Sequence, residues 1–265
     1  YLMNLVAHIM PYKVNYTTLW GDHMSFYLPE GNAIYYYGFF EANLTNFFIN
    51  ALKPNNILFD IGAHVGYYSV LGSSLVEKAG SVHSFEPTPR TYKTLTENVT
   101  VKGNVITNNV ALLDRSGEIQ FVDYGPKYSV FNTFKSRTSA DTAFLGTPEK
   151  ITVKATTLDA YCELHNVYPD FIKIDAEGAE SLILKGGENM LTQKYPIVSI
   201  EVGAGDEWKE NNSTSISYLQ SLGYLCFEIN LQGKLLPHIP QPTYLYDNLV
   251  FIHPSKTSEY AHLMA

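Results

Sequence analysis

Cysteine, tryptophan and clustered positive charge are all scarce in this 265-residue sequence, which has two cysteines and two tryptophans. Cys162 and Cys226 are far apart and flanked by apolar or helical residues, so they read as isolated thiols, not a disulfide framework or paired metal ligands. Eighteen Lys and Arg against 26 Asp and Glu give a formal net charge of −8, and no run of five basic residues occurs. A surface that grips nucleic acid must neutralise phosphates, so a nucleic-acid substrate is not expected. No apolar run approaches the ~20 residues that a membrane span requires. Leu2–Met10 is mildly apolar but lacks the basic flank and small-residue cleavage site of a signal peptide, and a cytoplasmic setting is expected. The sequons at Asn15, Asn43, Asn98, Asn211 and Asn212 then read as incidental, and Asn43 and Asn98 fall in expected helices.

The most informative stretch that is present runs Ile57-Leu-Phe-Asp-Ile-Gly-Ala-His-Val-Gly-Tyr-Tyr-Ser69. A buried strand (57–61) enters a glycine turn that opens into an amphipathic helix near Val65. Gly62 permits the sharp turn, Gly66 permits close approach, and the helix N-terminus is expected to offer free N–H donors. The spacing Asp-x-Gly-x-x-x-Gly is not the dinucleotide pattern Gly-x-Gly-x-x-Gly. Asp60 stands where a carboxylate would face the ligand, which suits a cationic cofactor and repels phosphates. S-adenosylmethionine, with its sulfonium and amino group, fits this turn; NAD fits poorly.

Around this turn the chain alternates regularly. A helix over 39–52 precedes strand 57–61, helix 65–78, strand 81–86, helix 88–101 and strand 105–112. After an interruption come strand 171–175, a helix to about Leu191, strand 197–202, helix 214–222, and strands 224–229 and 248–252. The expected fold class is α/β: a doubly wound, mostly parallel, seven-stranded sheet whose last strand is antiparallel. Residues 1–37 read as an N-terminal extension of short β and turn elements, 38–254 as the main domain and 255–265 as a frayed tail. Within the main domain, residues 115–157 read as an insertion: an outgoing strand, a polar loop and a return strand.

Acids recur at the carboxyl ends of successive strands, where parallel sheets hold their ligands. Glu86 ends the second strand 24 positions beyond Gly62, a spacing suited to accepting both hydroxyls of a ribose, and Pro87 stops the strand. Asn109 and Val110 end the third strand, with an amide for an adenine edge and an apolar face beside it. The fourth gives Phe171-Ile-Lys-Ile-Asp-Ala-Glu-Gly-Ala-Glu180. A carboxylate leaving an apolar strand needs a partner, and for Asp175 a cofactor or reacting hydroxyl is the natural one. Glu180 is equally well explained as a helix cap.

These runs, together with Asn109-Val-Ala-Leu112, resemble the FkbM-type family of class I S-adenosylmethionine-dependent methyltransferases over residues 38–202. The resemblance implies a Rossmann-like methyltransferase sheet and O-methylation of a small molecule or sugar. It implies that Asp60, Gly62, Ala63 and Gly66 cradle the methionyl part of the cofactor, Glu86 and Pro87 the ribose, and Asn109 and Val110 the adenine. Asp175 would border the transferred methyl. The stretch Tyr37-Gly-Phe-Phe-Glu-Ala-Asn-Leu-Thr45 is similar to a helix preceding the glycine turn in that family, which suggests Glu41 and Thr45 near the cofactor's amino-acid end. A plain amphipathic cover helix explains it too. His64 and the Glu201-Val-Gly203 run depart from the family pattern.

Deprotonating a hydroxyl acceptor needs a base, and Asp175 and Glu201 are the first candidates, with Glu177 and His64 behind them. No resident metal is assigned, although clustered acids at these strand ends could hold a divalent ion. The rival readings are a non-catalytic nucleotide-binding module and an NAD-dependent oxidoreductase, the latter without a Tyr-x-x-x-Lys pair. The polar loop with Tyr124 and Tyr128 suits a hydroxylated acceptor such as a saccharide. Oligomeric state is not readable from the sequence.

Overall fold

The computed structural model describes residues 12–28, 31–125, 128–129, 132–134, 148–245 and 247–265. The Leu2–Met10 segment and most of the expected polar loop lie outside these residues. The order of elements is β1 (Tyr12–Thr17), β2 (His23–Leu28), α1 (Asn32–Tyr37), α2 (Ala42–Ala51), β3 (Ile57–Ile61), α3 (Tyr67–Val76), β4 (Ser81–Phe85) and α4 (Pro89–Val99). Then come β5 (Val105–Asn108), β6 (Ala111–Leu112), β7 (Gly117–Asp123), β8 (Glu149–Thr156), α5 (Leu158–His165) and β9 (Phe171–Ile174). The chain continues through α6 (Glu180–Lys185), α7 (Glu188–Lys194), β10 (Ile197–Val202), α8 (Asp206–Ser221), β11 (Leu225–Ile229), β12 (Leu235–Pro237) and β13 (Asp247–Ile252).

Eight strands form the main sheet in the order β12-β11-β13-β10-β9-β3-β4-β5. β5, β4, β3, β9 and β10 run parallel, and β13 lies antiparallel between β10 and β11. Seven of these strands match the expected sheet; the eighth, β12, adds an antiparallel edge to β11. Successive strand residues feed opposite cores, which is why these strands read as continuous apolar runs. Leu58, Phe171, Ile197 and Val250 join α2, α3, α4 and the β1–β2 hairpin on one face. Phe59, Ile172, Val198 and Phe251 join α5 to α8 on the other.

Several elements differ from the sequence reading, each for a local reason. The helix expected over 39–52 is α2 and starts at Ala42, because Glu41 before it sits at φ 44°; upstream, the stretch read as short β and turn elements also holds a helix, α1, which Gly38 ends in the left-handed conformation (φ 84°). The strand expected over 105–112 splits at Asn109-Val110, and β6 leaves the main sheet to pair with β8, which pairs antiparallel with β7. The helix after β9 is interrupted at Gly186-Gly187, where a Cβ on Gly186 would stand 2.0 Å from the Leu113 carbonyl oxygen. The helix expected over 214–222 begins at Asp206. Its polar first half hides the helical period, and Asn211 and Asn212 are buried within it. The tail expected to fray is anchored, with Tyr260 and Leu263 buried in the core.

Cys162 is buried, Cys226 is half-buried, and both are free thiols. Asn98, one of the sequon asparagines, is buried in the contact between the hairpin and α4. Its amide nitrogen donates to the carbonyls of Ser25 (2.9 Å) and Val65 (2.7 Å), and its oxygen accepts from Ser25 N at 2.7 Å. Asn98→Ala strands those backbone groups in a dry contact and should cost about 2–3 kcal/mol in urea denaturation, with the hairpin exchanging its amide hydrogens first.

Candidate active site at the carboxyl ends of the parallel strands

β3 ends in a turn that only glycine can make. Gly62 sits at φ 74°, and a Cβ there would meet the carbonyl oxygen of Asp175 at 1.7 Å. Gly66 caps α3 at φ 90°, and a Cβ there would reach Leu95 at 2.7 Å, so it serves helix packing and does not line the cleft. The turn's amides are not free as the sequence suggested. Gly62 N and Ala63 N both donate to the Phe85 carbonyl at 3.0 Å, and His64 N donates to Glu86 Oε2 at 3.1 Å. The end of β4 has taken the donors that an anion would otherwise use.

A cleft of about 160 Å³ opens here, lined by Gly62 to Val65, Tyr67, Tyr68, Glu86 to Thr88, Val110, Lys173 and Asp175 to Glu177, with Ser129 and Asn132 from the segment between β7 and β8. Glu86 is only 6% exposed. Its Oε1 accepts from Thr88 N at 2.9 Å, and burial pushes its carboxyl up to about 7 against the pull of the Thr88 and His64 amides. Val110 lines the cleft, but the Asn109 side chain is spent on the carbonyls of Glu86 (2.8 Å) and Pro87 (3.0 Å), fixing the direction in which β4 ends. His64 is half-buried with its Nε2 2.7 Å from Ser129 Oγ, and burial pushes its imidazole down to about 4, so it is neutral at pH 7.

Behind this wall lies a charged cluster that the sequence reading only partly anticipated. Asp60 is 0% exposed and does not line the cleft. Its Oδ2 accepts from Ser69 Oγ at 2.6 Å, and its Oδ1 has no hydrogen-bond donor among the described residues. Lys173, 3% exposed, places its Nζ 2.9 Å from Asp175 Oδ2, 4.0 Å from Asp60 Oδ1 and 5.0 Å above the Tyr68 ring. Glu41 accepts from Tyr68 Oη (2.9 Å) and Asn248 Nδ2 (2.7 Å), and burial followed by the nearby Asp175 charge raises its carboxyl. Thr45 is buried and does not itself line the cleft; it is bonded to two residues that do, to the Phe40 carbonyl at 2.5 Å and the Tyr67 hydroxyl at 3.2 Å.

Asp175, Glu177 and Glu201 come together, with one carboxylate oxygen of each within 4.8 Å of the others. These donors suit a hard divalent ion. Glu180 is completely buried and caps the preceding loop, accepting from Ala176 N at 2.8 Å and from Asn211 Nδ2 at 2.6 Å. Lys173, Tyr68, Asn248, Ser69 and Ser129 were missed from sequence. Lys173 had a signal, since a lysine inside Phe171-Ile-Lys-Ile must be paired, and the parallel register sets it opposite Asp60. Ser69, nine residues after Asp60, had none.

Because the Glu86 carboxyl lies above its unfolded value, the stability it leaves at low pH is lost as pH rises from about 4.5 through about 7. Chemical denaturation of the unliganded protein should therefore show wild type losing up to about 3 kcal/mol relative to Glu86→Gln between pH 5 and 8. Parallel pH profiles would contradict the assignment.

The chain was compared with known proteins. It is 29% identical over 172 residues to the hexuronic acid methyltransferase AglP of Haloferax volcanii, covering 64% of this chain and 65% of that protein. The chain thus spans just under two thirds of that relative's length. A methyltransferase FkbM from Methylobacillus flagellatus KT superposes with a TM-score of 0.48 at 15% identity, over 75% of this chain and 44% of that one. An O-methyltransferase from Bacillus cereus in complex with SAH superposes at 0.46 with 10% identity, over 80% of each chain. The profile of the methyltransferase FkbM domain matches residues 60–226, more than half of the sequence, and the chain belongs to that family.

Proposed function

We propose that this protein transfers a methyl group from S-adenosylmethionine to a hydroxyl of a saccharide. The observation that carries the proposal is that Glu86, Val110, the glycine turn and Asp175 all border one cleft at adjoining parallel strand ends. The residues present fit this cofactor. A dry carboxylate with an unbonded oxygen, Asp60 Oδ1, lies on the cationic side, and a buried acid ends the strand beside the glycine turn. Glu86 would hold the ribose, Val110 the adenine face, and the wall around Lys173 and Asp175 the methionyl end.

The cofactor supplies an activated methyl with a neutral leaving group, so the chain's own work is alignment, exclusion of water and removal of one proton. Asp175 Oδ2 is held by Lys173, which leaves Oδ1 for an acceptor hydroxyl. Glu201, 2% exposed and close to Asp175, is the second base, with Glu177 and the neutral His64 behind it. The hexuronic acid methyltransferase similarity supports a sugar acceptor, and the net charge of −8 supports a small one over nucleic acid. No helix among the described residues is long and apolar enough to cross a membrane, and the two free thiols support a cytoplasmic setting.

Calorimetry with S-adenosylmethionine and S-adenosylhomocysteine, followed by labelled methyl transfer to uronic and neutral glycosides, tests this reading. Both ligands should bind while NAD gives no heat. Asp175→Asn should lower turnover on the order of a hundredfold with cofactor affinity retained. Full turnover in that variant would remove Asp175 as the base. Tight binding of S-adenosylhomocysteine without transfer to any glycoside would favour a non-catalytic module.

A further inference from the structure

The cluster at the cleft wall holds three carboxylates, Asp60, Asp175 and Glu41, around one ammonium; Asp60 and Lys173 are dry, while Asp175 and Glu41 are partly exposed. Lys173 is the one Lys or Arg among the described residues lining the cleft. Its position follows from topology. β9 is hydrogen-bonded to β3 in parallel with Asp60 opposite Lys173, and Asp175 N donates to the Ile61 carbonyl at 3.1 Å. The lysine therefore serves two strand ends at once, and the carboxylates in turn keep it charged.

We propose that Lys173 is a positioning residue whose ammonium organises Asp60, Asp175 and Glu41 into an anionic wall that distinguishes a sulfonium cofactor from its neutral thioether product. The inference rests on the cofactor reading above. Donor and product share the adenosine and amino-acid parts and differ by a methyl group and one positive charge, and the charge is the difference that an anionic wall reads. One unit of charge in a partly dry site at such range changes relative affinity on the order of tenfold. A wall of this kind binds the donor and lets the product leave.

Without the ammonium, little offsets the burial that favours the neutral form of Asp60. Burial is the main force raising Asp60, and Lys173 is the main force opposing it. The other ionisable groups facing the cluster are His64 from the glycine turn, Tyr67 and Tyr68 from α3, Glu177 and Glu180 beyond β9, and Glu201 at the end of β10. None of them is a second ammonium, so none replaces Lys173.

Dissociation constants are measured calorimetrically for S-adenosylmethionine, S-adenosylhomocysteine and 5′-methylthioadenosine, which lacks the amino-acid end, from pH 6.5 to 9. The donor-to-product affinity ratio should fall on the order of tenfold in Lys173→Met at pH 7 and recover as pH rises and Asp60 and Glu41 ionise. Lys173→Arg should keep the wild-type ratio. Asp60→Asn, which leaves the lysine in place, should lower the ratio at every pH, and it carries the test if Lys173→Met does not fold. Methylthioadenosine should bind all variants alike. An unchanged ratio in Lys173→Met and Asp60→Asn, or a loss shared equally by all three ligands, overturns the inference while leaving the cofactor reading intact. Failure of wild type to bind any of the three overturns the cofactor reading and this inference with it.

Discussion

The carbonyl oxygen of Asp175 occupies the space that any side chain at position 62 would need. That backbone contact is the constraint on which the site depends. It presses the ends of β3 and β9 together more closely than side-chain packing allows, and the hydrogen bond from Asp175 N to Ile61 O keeps them in register. Once the ends are so placed, Asp60, Lys173 and Asp175 have no room to avoid one another. The ammonium offsets part of the carboxylate charge that burial would otherwise oppose. Glycine at position 62 thus does more than turn the chain.

The cleft is also tuned by dehydration. Glu86 and His64 touch through the His64 amide, and burial moves both toward their neutral forms, the acid upward and the imidazole downward. The resting cleft has few charges on its Glu86 side and concentrated charge on its Asp175 side. A cover is added by Ser129 and by residues 132–134. It is fixed at His64 through Ser129, at Thr88 through Asn132 (3.2 Å) and at the Glu177 carbonyl through Thr133 (3.0 Å).

The sheet was legible because its strands are short apolar runs bounded by glycine, proline and acids, and because helices alternate with them. The β13 strand was readable as antiparallel from its closeness to β11 in sequence. The edge strand β12 was not, since three residues ending in proline carry no period. Acids at strand ends were legible as a group, and the structure brings Glu86 and Asp175 to one cleft. Their bonding was not legible. Whether Asp60 faces a ligand or a serine depends on which residue of α3 lies over it, and Ser69 looks like any other helical serine. Asn109 reads equally well as a ligand donor or a backbone tie, and only the observed distances to Glu86 and Pro87 decide. The long start of α8 stayed hidden because buried asparagines replaced the apolar stripe that marks a helix.

The bond between Glu41 and Asn248 joins residues 207 apart, and the neighbouring bond from Asn43 to Asp247 spans 204. The glycine turn and the first three parallel strands are assembled from far more local segments. Synthesis from the N-terminus therefore completes the Glu86 side of the cleft long before the side beside Glu41 can close. While β13 is still inside the ribosome, Glu41 lacks its amide partner, and the nascent domain exposes the slot that β13 will fill between β10 and β11.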